Sequence, residues 1–350
     1  MARMRLLALL SVLAASLAVA GEPALSAFAN LPADPAPPEL VRNSHYWVSN
    51  EDQLDLFYPA VKDKGGLYLG VGTDQNYLMA AWARSEVLVL MDFDQAVVDL
   101  HRAYRVLFRE AKTPKEFRRL WEAKSRDEVK ALIEASDTDP ARRAAVLRTY
   151  SVARPTVETR FVHLLAEMKA ASRSCFLVDE ADYAHLRRLY LEDRVFMVRG
   201  DLTVSGAMKA IGQAATKAGK KVKVLYLSNA EGYFTYEPPF RENIQALPLD
   251  TDSVVLRTSG QRGISHVKGT YYHYDVQTGS SFLAWLADPK TKDVREMLQY
   301  APDRGDVHGV SLLELGPDAA REALKQQQHA ASPQGGQKTP TPPTPGGAVK

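Results

Sequence analysis

Gly70 and Gly72 follow a short apolar run at residues 67–69 and lead into Thr73, Asp74, Gln75 and Asn76. Glycines at that spacing let the backbone turn sharply and approach a ligand closely, and a helix opening near Asp74 offers free N–H groups. Twenty-two residues after Gly70, a second apolar run at 87–91 ends in Asp92, with Asp94 beyond it. An acid so placed accepts both hydroxyls of a ribose. Asp201, after a third run at 195–198, is suited to accept from an exocyclic amine. A fourth run, 222–227, ends in Ser228, Asn229, Ala230 and Glu231, with Tyr233 just beyond. Ser228 and Asn229 would face Gly72, and Asn229 and Tyr233 are the candidates for contact with reacting atoms. Each group also has a plainer use. Many strand-to-helix turns carry glycine for backbone reasons alone, Asp92 or Asp94 can cap the following helix, and Ser228 with Asn229 can simply shape a turn.

These residues converge only if the elements that carry them form one sheet. The runs at 67–69 and 87–91 are continuous and apolar, as strands buried on both faces are. Helical stretches follow them, one from Gln75 to Ala83 and one with Val97, Leu100, Tyr104 and Leu107 at helical spacing. Strands at 195–198 and 222–227 flank an amphipathic helix with Met208, Ile211 and Ala215 on one face, and further strands are expected at 253–258, 271–276 and 307–313. Ahead of the first strand, Asn50 reads as the cap of a helical segment shortened by Pro59. Residues 111–190 carry many charges and intermittent apolar positions and read as a helical insertion, with one further strand at 176–178. Its charge pattern is that of a solvated surface. Strands alternating with helices imply parallel pairing, with helices on both faces. The expected class is α/β, a doubly wound, mostly parallel, Rossmann-like sheet with a helical insertion, in which ligands bind beyond the carboxyl ends of the strands.

With those motifs in that order, the chain resembles class I S-adenosylmethionine-dependent methyltransferases over roughly residues 65–94 and 195–276. The stretches 70–77 and 226–234 are also similar to a group of bacterial methyltransferase-like proteins without a known substrate. The resemblance implies that Gly70 and Gly72 lie against the amino-acid part of S-adenosylmethionine, that Asp92 holds the ribose, that Asp201 meets the adenine and that Asn229 faces the substrate. Two departures stand out. Tyr68 occupies the place where such enzymes carry an acid two residues before the first glycine, and Asp74 replaces a third glycine. A Rossmann dehydrogenase fits no better, because its third glycine would fall at Gln75.

The N-terminus sets the cellular context. Arg3 and Arg5 precede an apolar run of 15 residues, 6–20, that ends in Ala18, Val19 and Ala20 before Gly21. This is the pattern of a secretory signal peptide cleaved near Ala20, shorter than the roughly twenty residues of a membrane span. Residues 21–42 then form a Pro-rich spacer, 43–325 the α/β domain, and 326–350 a tail of Gln, Pro, Gly, Thr and Lys expected to be disordered. Removing residues 1–20 takes two of the 44 basic residues and none of the 42 acidic ones, leaving a chain with no net charge. Nothing there asks for nucleic acid or, once the signal is cleaved, for a membrane. The expected partner is a small molecule and the expected location is periplasmic or secreted.

Export sets a condition, since S-adenosylmethionine is made inside cells. Three readings therefore remain: a methyltransferase-like enzyme, a binding protein that keeps the fold, and a hydrolase. For the last there is no Gly-x-Ser-x-Gly elbow, since Ser228 lacks flanking glycines. His266 and His273 are candidate bases or simply solvated or core histidines. Cys175, followed by Phe176, Leu177 and Val178, reads as a buried, inert thiol. Asp92, Asp94 and Glu231 offer oxygen ligands but are scattered along the chain, so no metal is expected.

Overall fold

Successive side chains of a strand point to opposite faces, and the central strands exploit this fully. In β1 (Leu67–Val71) Leu67 and Leu69 enter one hydrophobic core while Tyr68 enters another, and in β2 (Val87–Asp92) Val87 and Val89 oppose Leu88 and Leu90 in the same way. Both faces must then be covered, and they are. The first face, that of Tyr68, Leu88 and Leu90, is covered by α1 (Tyr58–Val61), α2 (Gln75–Ala83) and α3 (Gln95–Glu110). Asp94 caps α3 by accepting from the Ala96 N–H. The computed structural model describes residues 23–260, 265–304 and 307–331. The expected signal peptide, 1–20, and the tail from 332 on lie outside the described residues.

Four helices separate α3 from the next strand: α4 (Pro114–Leu120), α5 (Arg126–Ser136), α6 (Pro140–Ala170) and α7 (Glu180–Leu191). They thicken the first face with an aromatic core in which Phe108 stacks on Phe117 with ring centroids 4.3 Å apart and Tyr104 meets Trp121 at 4.7 Å. Residues 176–178, expected as a strand, form a turn instead, with Phe176 and Leu177 buried. Three consecutive apolar residues satisfy a packed turn as well as a strand.

β3 (Val195–Arg199), α8 (Ala207–Lys217), β4 (Val222–Ser228), α9 (Pro238–Gln245) and β5 (Val254–Ser259) follow, and α8 and α9 cover the second face. The chain ends with β6 (His273–Thr278), α10 (Gly279–Ala287), α11 (Val294–Leu298), β7 (Asp303–Arg304), β8 (Val307–Leu313) and α12 (Pro317–Ala331). Strand order is β3-β2-β1-β4-β5-β6-β8-β7. The first five are parallel, and the order reverses between β1 and β4, where Leu67 registers with Val222. The last three are mixed in direction, so the sheet is mostly parallel, as expected. β6 runs antiparallel to β5, β8 is parallel to β6, and β7 is antiparallel to β8. Among the described residues no helix lies between β5 and β6.

Three local expectations change. The segment capped by Asn50 in sequence begins at Leu54 as a 3-10 turn and continues as α1, with Pro59 in its first turn where a proline costs nothing. The Pro-rich stretch at 31–38 is no free spacer, because the Asp34 N–H donates to Arg199 O at 2.9 Å along the edge strand. α12 continues to Ala331, past the point where the tail was expected to begin.

Candidate functional site

At the β1/β4 switch the turns leaving four parallel strands enclose a crevice of about 360 Å³. Gly72 comes from the end of β1, Asp92 from β2, Asp201 from the turn after β3, and Ser228, Asn229 and Tyr233 from the end of β4 and the turn beyond it. Six of the residues singled out in the sequence thus share one cavity. Its far wall is the segment before β1, through Tyr46, Val48, Ser49 and Asn50. That wall is pinned at several points. His45 donates from Nδ1 to Asp94 Oδ2 at 2.6 Å, and the Ser49 N–H donates to Asp74 Oδ1 at 2.7 Å. Asn50 and Asn229 both donate their amides to the Tyr272 hydroxyl, at 2.8 and 3.1 Å.

Gly70, Asp74 and Asn76 do not reach the cavity. Gly70 is inside β1, where a β-carbon would collide with Asn76 Oδ1. The Asn76 amide folds back onto Val71 O at 3.1 Å and accepts from Tyr68 Oη at 3.0 Å. Tyr68 therefore fills the core beneath the turn. Asp74 faces inward to Arg160 Nε at 3.0 Å. Of the N–H groups expected to be free at the start of α2, that of Asn76 donates to Thr73 O at 3.3 Å and that of Tyr77 to Asp74 O at 3.1 Å, while just ahead of the helix Gln75 Oε1 accepts from Thr73 N at 3.0 Å. Spacing places a residue after a strand, but it does not say which way the side chain turns.

The electrostatics of the cavity are one-sided. Among the described residues its lining contains the carboxylates of Asp92 and Asp201 and no lysine, arginine or histidine. Asp92 is buried, and burial pushes its carboxyl up to about 7; the charge of Asp94 adds to this and the Asp94 N–H, donated at 2.9 Å, opposes it. Asp201 accepts from Thr203 N and Oγ1 at 2.8 and 2.7 Å, and its own N–H is held by Asp34 Oδ2 at 2.9 Å.

Behind Ser228 is a group that no motif announces. Glu51 is fully buried and its carboxylate collects four hydroxyls: Ser49 at 2.8 Å, Ser228 at 2.8 Å, Thr258 at 2.6 Å and Tyr226. Ser228 reaches it from a left-handed backbone, φ 54°, which a non-glycine residue adopts at some cost. Ser49 Oγ in turn accepts from the Glu51 N–H at 3.1 Å, which closes the contact between the two residues. His101 was also missed, although its place in the α3 stripe between Val97 and Tyr104 marked it as buried. Its imidazole contacts Tyr77 Oη and Gly72 O, both at 2.8 Å.

Other candidates fall away from the crevice. His273 is buried between Ser265 O at 2.7 Å and Ser311 Oγ at 2.8 Å, and neither it nor His266 lines the cavity. Cys175 is buried, which pushes its thiol up to about 12. Glu231 is turned from Asp92 and Asp94 into a buried pair with Arg257, Nε to Oε2 at 2.5 Å. Among the described residues no group of three or more His, Cys, Asp or Glu is placed to hold a metal ion. Among them also, no helix is long and apolar enough to cross a membrane.

Comparison with known proteins gives a family and no activity. No curated protein matches the chain. A family described as a domain of unknown function (DUF7790) matches residues 46–314, a span that takes in every strand of the sheet, the helical insertion and most of the crevice wall. The chain belongs to the DUF7790 family.

Proposed function

We propose that the crevice binds a nucleoside with a cationic or amine-bearing arm, S-adenosylmethionine or a relative, and that the protein is a methyltransferase-like enzyme acting after export. The observation that carries this reading is the charge of the lining: two carboxylates without a cation. A dinucleotide would bring phosphates, which are held by cationic side chains or free N–H groups at a helix start. Among the described residues the first are absent from the lining, and at the start of α2 the Asn76 and Tyr77 N–H groups are taken by Thr73 O and Asp74 O. Asp92 at the end of β2 suits a ribose diol, and Asp201 an exocyclic amine. The volume falls in the range of small-molecule sites. A second reading, binding without chemistry, draws support from Asn229, whose amide is engaged with Tyr272.

The test is a thermal shift with S-adenosylmethionine and S-adenosylhomocysteine. A ligand at a hundred times its dissociation constant stabilises the folded state by about 2.7 kcal/mol. An upward shift with these nucleosides, none with ADP-ribose, and loss of the shift in Asp92→Asn is the expected result. No shift at millimolar nucleoside would sink the reading. Formation of S-adenosylhomocysteine from S-adenosylmethionine then separates enzyme from binding protein.

The raised carboxyl of Asp92 adds a pH signature. Only the ionised form accepts two hydroxyls, so nucleoside affinity should strengthen about tenfold between pH 6 and pH 8 and become flat in Asp92→Asn. Stability runs the other way. The folded carboxyl holds its proton more tightly than the unfolded one, so stability falls as pH rises from about 4 to about 7. Asp92→Asn should remove that fall, as denaturant titrations at the two pH values would show.

The export half of the proposal has its own check. N-terminal sequencing of the cellular protein should begin near Gly21, and a chain starting at Met1 or Ala2 would overturn it.

A further inference from the structure

The helical insertion sends two lines of buried polar contacts to the glycine turn. The first starts at Arg160 of α6, which donates from Nε to Asp74 at 3.0 Å and from Nη2 to Glu51 O at 3.0 Å. One guanidinium therefore ties the turn after β1 to the segment that forms the far wall of the crevice. The second starts at Tyr190 of α7, whose hydroxyl is 2.9 Å from Tyr77 Oη; Tyr77 continues to His101 Nδ1 at 2.8 Å, and His101 Nε2 ends on Gly72 O at 2.8 Å.

Directions along the second line are forced. A carbonyl oxygen only accepts, so His101 carries its proton on Nε2. Burial pushes the imidazole down to about 4, so the ring is neutral and Nδ1 is a bare acceptor. Tyr77 spends its one proton there, and its oxygen must accept from Tyr190. All three side chains are buried. Gly72, the recipient, lines the crevice with a φ of 91°. The hydrogen bond from His101 supports this carbonyl, and a displacement of the turn moves the floor under any ligand.

We propose that the insertion sets the shape of the crevice floor, with Tyr190 and His101 as positioning residues for the Gly72 peptide and Arg160 as the clamp on Asp74. The insertion is then part of the binding apparatus, although it contributes no residue to the cavity lining. This inference rests on the nucleoside reading only for its ligand measurement.

Hydrogen exchange by mass spectrometry on the full chain tests it without a ligand. Tyr190→Phe removes one hydroxyl and keeps the ring, and His101→Leu removes the donor to Gly72. Both should accelerate exchange of the amides at 70–77 by about tenfold, with β5 and β6 unchanged. His101→Gln keeps an N–H at the end of the side chain and should restore slow exchange. S-adenosylhomocysteine affinity should weaken about tenfold in the first two variants and recover in the third. Unchanged exchange at 70–77 in Tyr190→Phe and His101→Leu would overturn the proposal, as would equal acceleration across the sheet, which marks plain destabilisation. If the exchange pattern appears but wild-type protein binds no nucleoside, the ligand reading fails and the positioning role stands.

Discussion

Arg257→Ala should lower the stability of the domain by about 4 kcal/mol, because it strands two carboxylates in the core. Arg257 is 1% exposed and donates to Glu231 at 2.5 Å, to Asp275 at 2.5 Å and to Gln277 at 2.7 Å, while its guanidinium lies over the Phe282 ring at 4.8 Å. Small domains hold only about 5–15 kcal/mol in total, so the variant should unfold at markedly lower urea. Burial already raises the Asp275 carboxyl. Without the guanidinium that opposes it, the folded pKa rises further above the unfolded one. The loss should therefore grow as pH rises and shrink on acidification. Arg257→Met combined with Glu231→Gln and Asp275→Asn should recover most of the loss, since replacing a buried ion network entire is far milder than breaking it. Equal stability of Arg257→Ala and wild type in urea would mean that the network contributes nothing.

Glu51→Ala should cost a comparable amount, about 3 kcal/mol or more, by orphaning the hydroxyls of Ser49, Tyr226, Ser228 and Thr258 together. Glu51→Gln should fall between, because its NH₂ end presents donors where hydroxyl donors converge. The two variants also separate fold from site. Ser228 holds a left-handed conformation with its hydroxyl on Glu51, and loss of that partner releases the rim of the crevice. Nucleoside binding should weaken in Glu51→Gln beyond what its stability loss explains, measured by calorimetry at a temperature where both proteins are folded. Undiminished affinity would restrict Glu51 to the core.

The parallel half of the sheet was readable because its strands announce themselves. Residues 87–91 are apolar without interruption, the pattern of a strand covered on both faces, and Asp92 with Asp94 marks its end. Strand direction carries no such mark, which is why the reversal of β6 and β8 was not foreseen. The same division runs through the site. Gly72, Asp92, Asp201, Ser228, Asn229 and Tyr233 were found by their position just past strand ends. Asp74 and Asn76 share that position, yet their side chains turn inward to Arg160 and Tyr68. Glu51, Arg160 and His101 escaped because their meaning lies in partners distant along the chain. Glu51 meets Ser228 across 177 positions, and Arg160 meets Asp74 across 86.

The pairing of Leu67 with Val222 closes a loop of 155 residues, and α4 to α7 account for 78 of them. Without those helices the loop would be about half as long. Loop-closure entropy grows only with the logarithm of length, so the doubling adds only about 0.6 kcal/mol. The burden falls on kinetics instead. The two strands that frame the crevice cannot pair until distant parts of the chain have met, so the insertion should slow folding far more than it weakens the folded state.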